Sequence, residues 1–248
     1  MRTMRVIRLL LPLVVAACAH HASGTAPAPE ALLEKARAQF RSGDFRKALQ
    51  SFQRLAFELP PNDPSLPEVR YLTAEAQFQL KQFTEAAQAF RHAADEFAGS
   101  PFAPLALLRA GDANMRLWRK PELDPTFGLE ALAIYEDLAG RYPASNAAAR
   151  ARLHVQQLRE WFADKEYKNG LFYFKRRAFD SGIIYFKDVV ARFPETSRAL
   201  DALLRLADSY RQVGYREELR ETCEHVRRFY PQARGLEQSC PPDSSGGR

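Results

Sequence analysis

The sequence predicts an all-α fold, an α-solenoid of about five helical hairpins with one long helix in the fourth unit. A pattern of small residue, aromatic residue, turn, small residue, aromatic residue and proline recurs five times. In two copies the small residues stand twelve positions apart, at Ala36 and Ala48 and at Gly170 and Gly182. The stretch 145–177 lacks proline and contains one glycine, so it predicts a single long helix, with a helix pair as the alternative.

The repeated pattern has a steric explanation. Small residues let two antiparallel helices cross closely, and aromatic residues fill the space on either side. Proline then ends the second helix. This frame is typical of the tetratricopeptide repeat (TPR), whose hairpins stack into a superhelix with a concave binding surface. The five predicted units span residues 30–60, 67–98, 103–143, 145–194 and 197–231.

The third unit departs from the frame between its two helices. Its small residues are Ala110 and Ala131, a separation that leaves about nine residues more than the short TPR turn. We therefore predict an insert from Trp118 to Thr126.

The N-terminus predicts a lipid anchor. Three arginines precede an apolar stretch, 9–15, which is too short to span a bilayer and leads to Cys18. This pattern resembles a bacterial lipoprotein signal, which implies cleavage before Cys18 and acylation of its thiol and new amino terminus. We expect a signal peptide over 1–17 and a flexible linker over 18–29 before the TPR domain, with an ordinary secretory signal as the alternative. Ala19 follows the cysteine, so the expected location is the periplasmic face of the outer membrane.

Composition and motifs argue against several function classes. The net charge of +6 includes three arginines of the signal, and removing them leaves +3. Other basic clusters stand at predicted helix ends, where cations complement the helix dipole, so we expect no nucleic-acid partner. The five histidines lack metal-ligand spacing, and the sequence contains no glycine-rich phosphate loop or nucleophile elbow. We therefore expect no metal, no cofactor and no enzymatic activity.

The C-terminal part contains two cysteines. The TPR domain is expected to end at residue 232, and residues 233–248 are predicted to form a disordered tail. Cys223 takes a frame position that is aromatic in other units, so we expect a buried hydrophobic side chain, whereas Cys240 lies in the tail. The periplasm is oxidising, which permits a disulfide between them. The bridge would require the tail to fold back onto the last helix, so the sequence leaves pairing open and favours free thiols.

The order of elements in the second half resembles the outer-membrane protein assembly factor BamD family. The most specific feature is the insert, with the sequence Leu-Asp-Pro-Thr at 123–126. It is followed by an Ala-rich helix ending at 141–145, a long helix that contains Lys165 and Tyr167, and the sequence Arg-Phe-Pro-Glu-Thr at 192–196. The resemblance covers Glu30 to Pro231 together with the cysteine of the lipoprotein signal.

That resemblance implies a function. It implies a non-catalytic periplasmic scaffold lipoprotein that assists insertion of β-barrel proteins into the outer membrane. The C-terminal units would dock on the POTRA domains of the barrel insertase, and the N-terminal units would capture nascent barrel strands. The compact insert and Tyr185 depart from the family pattern and leave accessory-lipoprotein contacts in doubt. A TPR lipoprotein that coordinates cell-wall synthesis with envelope constriction is the alternative.

Candidate peptide-binding residues follow from the inner helix of each TPR hairpin. Phe40 and Phe78 occupy the same frame position and would offer an aromatic rail to an extended peptide, whose carboxylate would meet Arg37 or Arg41. The alternative is that both phenylalanines pack in the core, as aromatic residues at helical spacing usually do. The candidates are Leu33, Arg37, Phe40 and Arg41 in the first unit and Glu68, Tyr71, Glu75 and Phe78 in the second.

Overall fold

The computed structural model describes residues 28–241, which form eleven α-helices and no β-strand. Ten helices pair into five antiparallel hairpins, so the predicted α-solenoid of TPR type is confirmed. Within the described residues, no helix has the length and apolar character needed to cross a membrane. The helices are α1 (Pro29–Arg41), α2 (Phe45–Glu58), α3 (Leu66–Gln79), α4 (Phe83–Glu96), α5 (Ala103–Leu117), α6 (Thr126–Arg141), α7 (Asn146–Lys175), α8 (Phe179–Arg192), α9 (Ser197–Val213), α10 (Arg216–Phe229) and α11 (Leu236–Ser239).

Small residues stand where the two helices of a hairpin cross. Ala36 and Ala48 are fully buried at the first crossing. At the fourth crossing, a Cβ atom added to Gly170 would lie 2.5 Å from the ring of Phe186. Real Cβ atoms do not approach other atoms so closely, so the α7–α8 hairpin requires glycine at this position.

The third hairpin crosses at Gly111, so the prediction of Ala110 as its crossing residue is wrong by one position. A Cβ atom on Gly111 would lie 2.4 Å from the ring of Tyr135, which reproduces the contact between Gly170 and Phe186. The sequence was ambiguous because Ala110 and Gly111 are both small, and both are buried. The extra residues between the helices are 118–125, since α6 begins at Thr126.

Trp118 anchors this insert. Its side chain is 1% exposed, and its ring stacks on Phe162 of α7 with the centroids 4.8 Å apart. A Cβ atom on Gly128 would lie 2.2 Å from the indole, so glycine makes room for the tryptophan. Lys165 Nζ also donates to the carbonyl oxygen of Leu123, at 3.0 Å. The insert is therefore a packed brace between the third hairpin and α7.

The long segment after the third hairpin forms one helix, α7, of 30 residues. Ser145 caps it, because its hydroxyl accepts a hydrogen bond from the backbone N–H of Ala148 at 3.0 Å. The first half of α7 packs against α6, where His154 stacks on Tyr135. The second half packs against α8 around Gly170. This one helix therefore belongs to two successive layers of the solenoid.

The prediction of a disordered tail over 233–248 is wrong for residues 233–241, and residues 242–248 lie outside the described part. A disulfide joins Cys223 to Cys240, with their Cα atoms 5.4 Å apart. The tail folds back because both cysteines pack with Ala207 and Leu236 in a small hydrophobic cluster. In addition, Arg227 Nη2 donates to the carbonyl oxygen of Cys240 at 2.9 Å. The tail thus covers the end of the array, where a further repeat would otherwise stack.

The hydrophobic core has two main parts. The N-terminal cluster combines α1, α2 and the start of α3, up to Val69. The main cluster begins at Ala74 in the same helix and continues to Tyr210 in α9. The boundary between the two clusters therefore lies inside α3.

Candidate binding surface

The odd-numbered helices line the concave side of the solenoid. α3 contacts α5, α5 contacts α7, and α7 contacts α9, whereas no comparable contact joins the even-numbered helices of neighbouring hairpins among residues 28–241. Helices on the inside of a superhelix lie closer together than those outside. The concave surface is therefore built from α1, α3, α5, α7 and α9.

Ion pairs join successive inner helices. Each consists of an arginine and a carboxylate from neighbouring hairpins, in the charge-assisted geometry that gives strong hydrogen bonds. Sequence reasoning missed them, although the partners stand 31 or 34 residues apart, close to one TPR period of about 34 residues. The pairs, each with an Nε–carboxylate distance of 2.8 Å, are Arg37–Glu68, Arg109–Glu75 and Arg198–Asp164.

The four candidates of the first unit differ in accessibility. Leu33 is buried in the N-terminal cluster. Arg37 is half-buried, and its hydrogen bonds to Glu68 and Glu34 raise the pKa of its guanidinium above the ordinary value. Phe40 is half-buried, and Arg41 is exposed one turn beyond Arg37. Arg41 is thus the most accessible of the four.

The candidate residues of the second unit have more packing and hydrogen-bond contacts than those of the first unit. Tyr71 packs between Phe90 and Phe102, with ring centroids 5.6 and 5.5 Å away. Burial, together with the nearby charge of Glu75, raises the pKa of Tyr71 to about 12. Glu75 is only 9% exposed and accepts hydrogen bonds from two nitrogens of Arg109, at 2.8 and 2.6 Å.

The two phenylalanines of the predicted rail make the same contact. Phe40 packs edge-on against Phe45, and Phe78 packs edge-on against Phe83, with 5.2 Å between centroids in both cases. The contact recurs in the fourth hairpin between Phe174 and Phe179, so it is a feature of the hairpin turn. Phe78 is 8% exposed beneath the guanidinium of Arg109, which lies 3.8 Å from the ring centroid. A role of these rings in peptide binding stays a prediction.

A cavity opens on the concave surface between α3, α5 and α7, with a volume of about 330 Å³. Its lining combines several cations with an aromatic ring and a thioether. The repeat pattern was used to select candidate residues in the first two units only. The residues that α5 and α7 contribute to this cavity were therefore missed. With Gly111 as the crossing residue, the same projection onto the third unit selects Asp112, Met115 and Arg116. The lining residues are Phe78, Arg109, Asp112, Met115, Arg116, Arg150 and His154.

The described residues show no arrangement suited to a metal. Within 28–241, no group of three or more His, Cys, Asp or Glu side chains is placed to hold a metal ion.

The solved structures with similar backbones include two that are named as TPR proteins. The TPR2AB domain of yeast Sti1 has a TM-score of 0.45 at 12% identity, over 82% of this chain and 78% of that one. A thermophilic TPR protein of Thermus thermophilus has a TM-score of 0.38 at 20% identity, over 85% and 96% of the two chains.

Two curated relatives carry the name outer membrane protein assembly factor BamD. The Caulobacter vibrioides protein is 36% identical over 89 residues, which cover 36% of this chain and 29% of that protein. The Rickettsia prowazekii protein is 26% identical over 100 residues, which cover 40% of each chain. The matched segments span less than half the length of these relatives.

A family model covers most of the chain. The family is YfiO, described as outer membrane lipoprotein, and its model matches residues 25–226. The match contains all ten hairpin helices except the end of α10. The chain therefore belongs to the YfiO family of outer membrane lipoproteins, which confirms the resemblance to BamD.

Proposed function

We propose that this protein is a non-catalytic scaffold lipoprotein of the machinery that inserts β-barrel proteins into the outer membrane. The observation that carries the proposal is the family match over 25–226, on a fold whose inner helices form one concave surface. The two BamD relatives, which are named as outer membrane protein assembly factors, support the same role. TPR arrays recruit other chains through such surfaces and rarely catalyse reactions.

The proposed location follows from the N-terminus. Cys18 and the rest of residues 1–27 lie outside the described part, so the anchor is proposed from the sequence alone. Acylation of Cys18 would hold the protein at the periplasmic face of the outer membrane, since each buried methylene contributes about 0.8 kcal/mol. The TPR domain would then work in the periplasm, beside the proteins that it assists.

The proposed partners divide between the two ends of the array. The N-terminal hairpins would bind nascent barrel strands, and the C-terminal hairpins would bind the POTRA domains of the insertase. Support for the first part comes from Arg41 and the exposed part of Phe40, which lie on the first inner helix. An extended strand has unpaired backbone groups and alternating side chains, so it needs a long surface with both apolar and polar positions.

Site-specific photo-crosslinking in cells tests this function. A photoreactive amino acid at Arg41, on the concave surface, should capture newly made outer-membrane barrel proteins. The matched control is Phe57 of the outer helix α2, which is 92% exposed. Equal capture at both positions, or capture of soluble periplasmic proteins alone, would contradict the proposed role.

A further inference from the structure

The concave cavity between α3, α5 and α7 contains cations that have no acidic partner. Arg116 and Arg150 are exposed, and neither forms an ion pair with any of residues 28–241. Arg109 differs, because Glu75 and Asp112 both accept hydrogen bonds from it. The free guanidiniums of the cavity are therefore those of Arg116 and Arg150.

Asp112, the acidic residue in the cavity lining, is held by Arg109 and Tyr135 and not by these two arginines. Asp112 Oδ2 accepts from Arg109 Nη1 at 3.0 Å, and Asp112 Oδ1 accepts from the hydroxyl of Tyr135 at 2.8 Å. The distance from His154 Nε2 to Asp112 Oδ1 is 3.7 Å. Three guanidiniums, those of Arg109, Arg116 and Arg150, stand against the two carboxylates of Glu75 and Asp112, so the cavity keeps an excess of one positive charge.

An apolar wall stands beside these cations. Phe78 and Met115 line the same cavity, and the guanidinium of Arg109 holds the phenylalanine ring in place. A thioether adapts its shape to different apolar groups. The cavity therefore matches a ligand with an anionic group next to an apolar side chain.

We propose that this cavity is a carboxylate-binding subsite for an extended polypeptide on the concave surface. Arg116 and Arg150 would donate hydrogen bonds to the carboxylate, since the guanidinium fork matches its geometry. Phe78 and Met115 would contact the adjacent apolar side chain. The presence of a polypeptide rests on the proposed function, and the subsite adds the requirement for a carboxylate. That group comes either from the chain terminus or from an Asp or Glu side chain.

Fluorescence anisotropy with defined peptides tests the subsite on the full acylated chain in detergent. The probe is a labelled ten-residue peptide of alternating apolar and polar residues, with one internal Asp and a C-terminal Phe. Its matched forms are the C-terminal amide and the Asp→Asn peptide. We expect wild-type affinity to fall about tenfold for one of these forms, consistent with loss of a charge-assisted hydrogen bond. If the affinity falls for the C-terminal amide, the bound carboxylate is that of the chain terminus. If it falls for the Asp→Asn peptide, the bound carboxylate is that of the side chain.

Protein variants locate the effect. Arg150→Glu should weaken binding of the original probe about tenfold, and Arg116→Gln should weaken it by a smaller factor. The control Arg152→Glu makes the same charge change at an exposed position of α7 outside the cavity lining, and it should stay within about twofold of wild type. Thermal melting of each variant confirms folding, and Arg116→Gln decides the outcome if Arg150→Glu is unfolded.

Two results would overturn the subsite. One is equal affinity for all three peptides, together with unchanged binding by the arginine variants. The other is the absence of measurable binding of any peptide to the wild-type chain. Neither result depends on the crosslinking of barrel proteins at Arg41, so failure of the subsite and failure of the proposed function are distinguishable.

Discussion

The first hairpin and the middle of the solenoid are held together by different means. The N-terminal hydrophobic cluster ends at Val69 in α3. The Arg37–Glu68 ion pair, which joins α1 to α3, is partly exposed. In the middle, α7 belongs to two layers, and Trp118 is buried against it. The middle is therefore braced by a 30-residue helix and by the packed insert, whereas the first hairpin is joined to the second by packing against α3 and by one ion pair.

The difference has a consequence for binding. The candidate residues lie on both sides of the core boundary, with Phe40 beside the N-terminal cluster and Phe78 in the main cluster. A groove formed by two separately packed parts can change its width more readily than one within a continuous core. In the proposed function, the first hairpin would adjust to the bound strand while the middle stays fixed.

The largest expected effect is at the fourth crossing. Gly170→Leu should destabilise the protein by about 3 kcal/mol or more, because even a Cβ atom there would meet the ring of Phe186. The measurement is urea unfolding followed by circular dichroism. Gly140→Ala in α6 is the control, since its added Cβ meets no atom within 4 Å apart from the neighbouring backbone of its own helix, and it should gain up to about 1 kcal/mol from helix propensity. Similar losses for both variants would mean that the crossing is wrongly placed.

A smaller and more local effect is expected at the C-terminal disulfide. Cys240→Ser opens a link between residues 17 positions apart, and a bridge over such a loop is worth about 3 kcal/mol. Because each hairpin contacts mainly its neighbours, the loss should stay near α10 and α11. Hydrogen exchange should be faster at the backbone amides of Leu236 and Ser239, which donate to Ala233 and Gly235 in the folded tail, and unchanged in α1. Faster exchange throughout the chain would refute the local character of this cap.

The smallest effect compares two of the ion pairs between inner helices. Glu75→Gln should cost about 2 kcal/mol, because it leaves Arg109 partly buried without its main carboxylate. Glu68→Gln should cost about 0.5 kcal/mol, since the pair with Arg37 is more exposed. Double-mutant cycles with Arg109→Gln and Arg37→Gln would measure the two coupling energies. Equal coupling energies would remove the contrast between the first hairpin and the middle.

The sequence predicted the structure correctly where the spacing of nearby residues determines it. Crossing residues such as Ala36 and Gly170 have a recognisable spacing, because close helix approach excludes larger side chains. The same rule failed by one position at Ala110, since two small residues are adjacent there. Local pattern could not settle the Cys223–Cys240 bridge, because pairing depends on how the tail turns after Pro231.

The binding surface was predictable only in part. The inner helices and the position of Arg41 follow from the repeat frame. The burial of Phe78 and the engagement of Glu75 depend on Arg109, which lies one repeat further along the chain. The cavity beside them requires three helices to meet, and its unpaired Arg150 stands in the first half of α7. Such contacts become visible only once the register of every repeat is known.

Copurification tests the central claim most directly. The full chain, carrying an affinity tag after residue 248, is extracted with detergent from cells that express it at its natural level. The proposed function predicts recovery of the β-barrel insertase, and deletion of residues 197–231 should abolish that recovery while Phe40→Ala leaves it unchanged. Recovery of cell-wall synthases without the insertase would contradict the account.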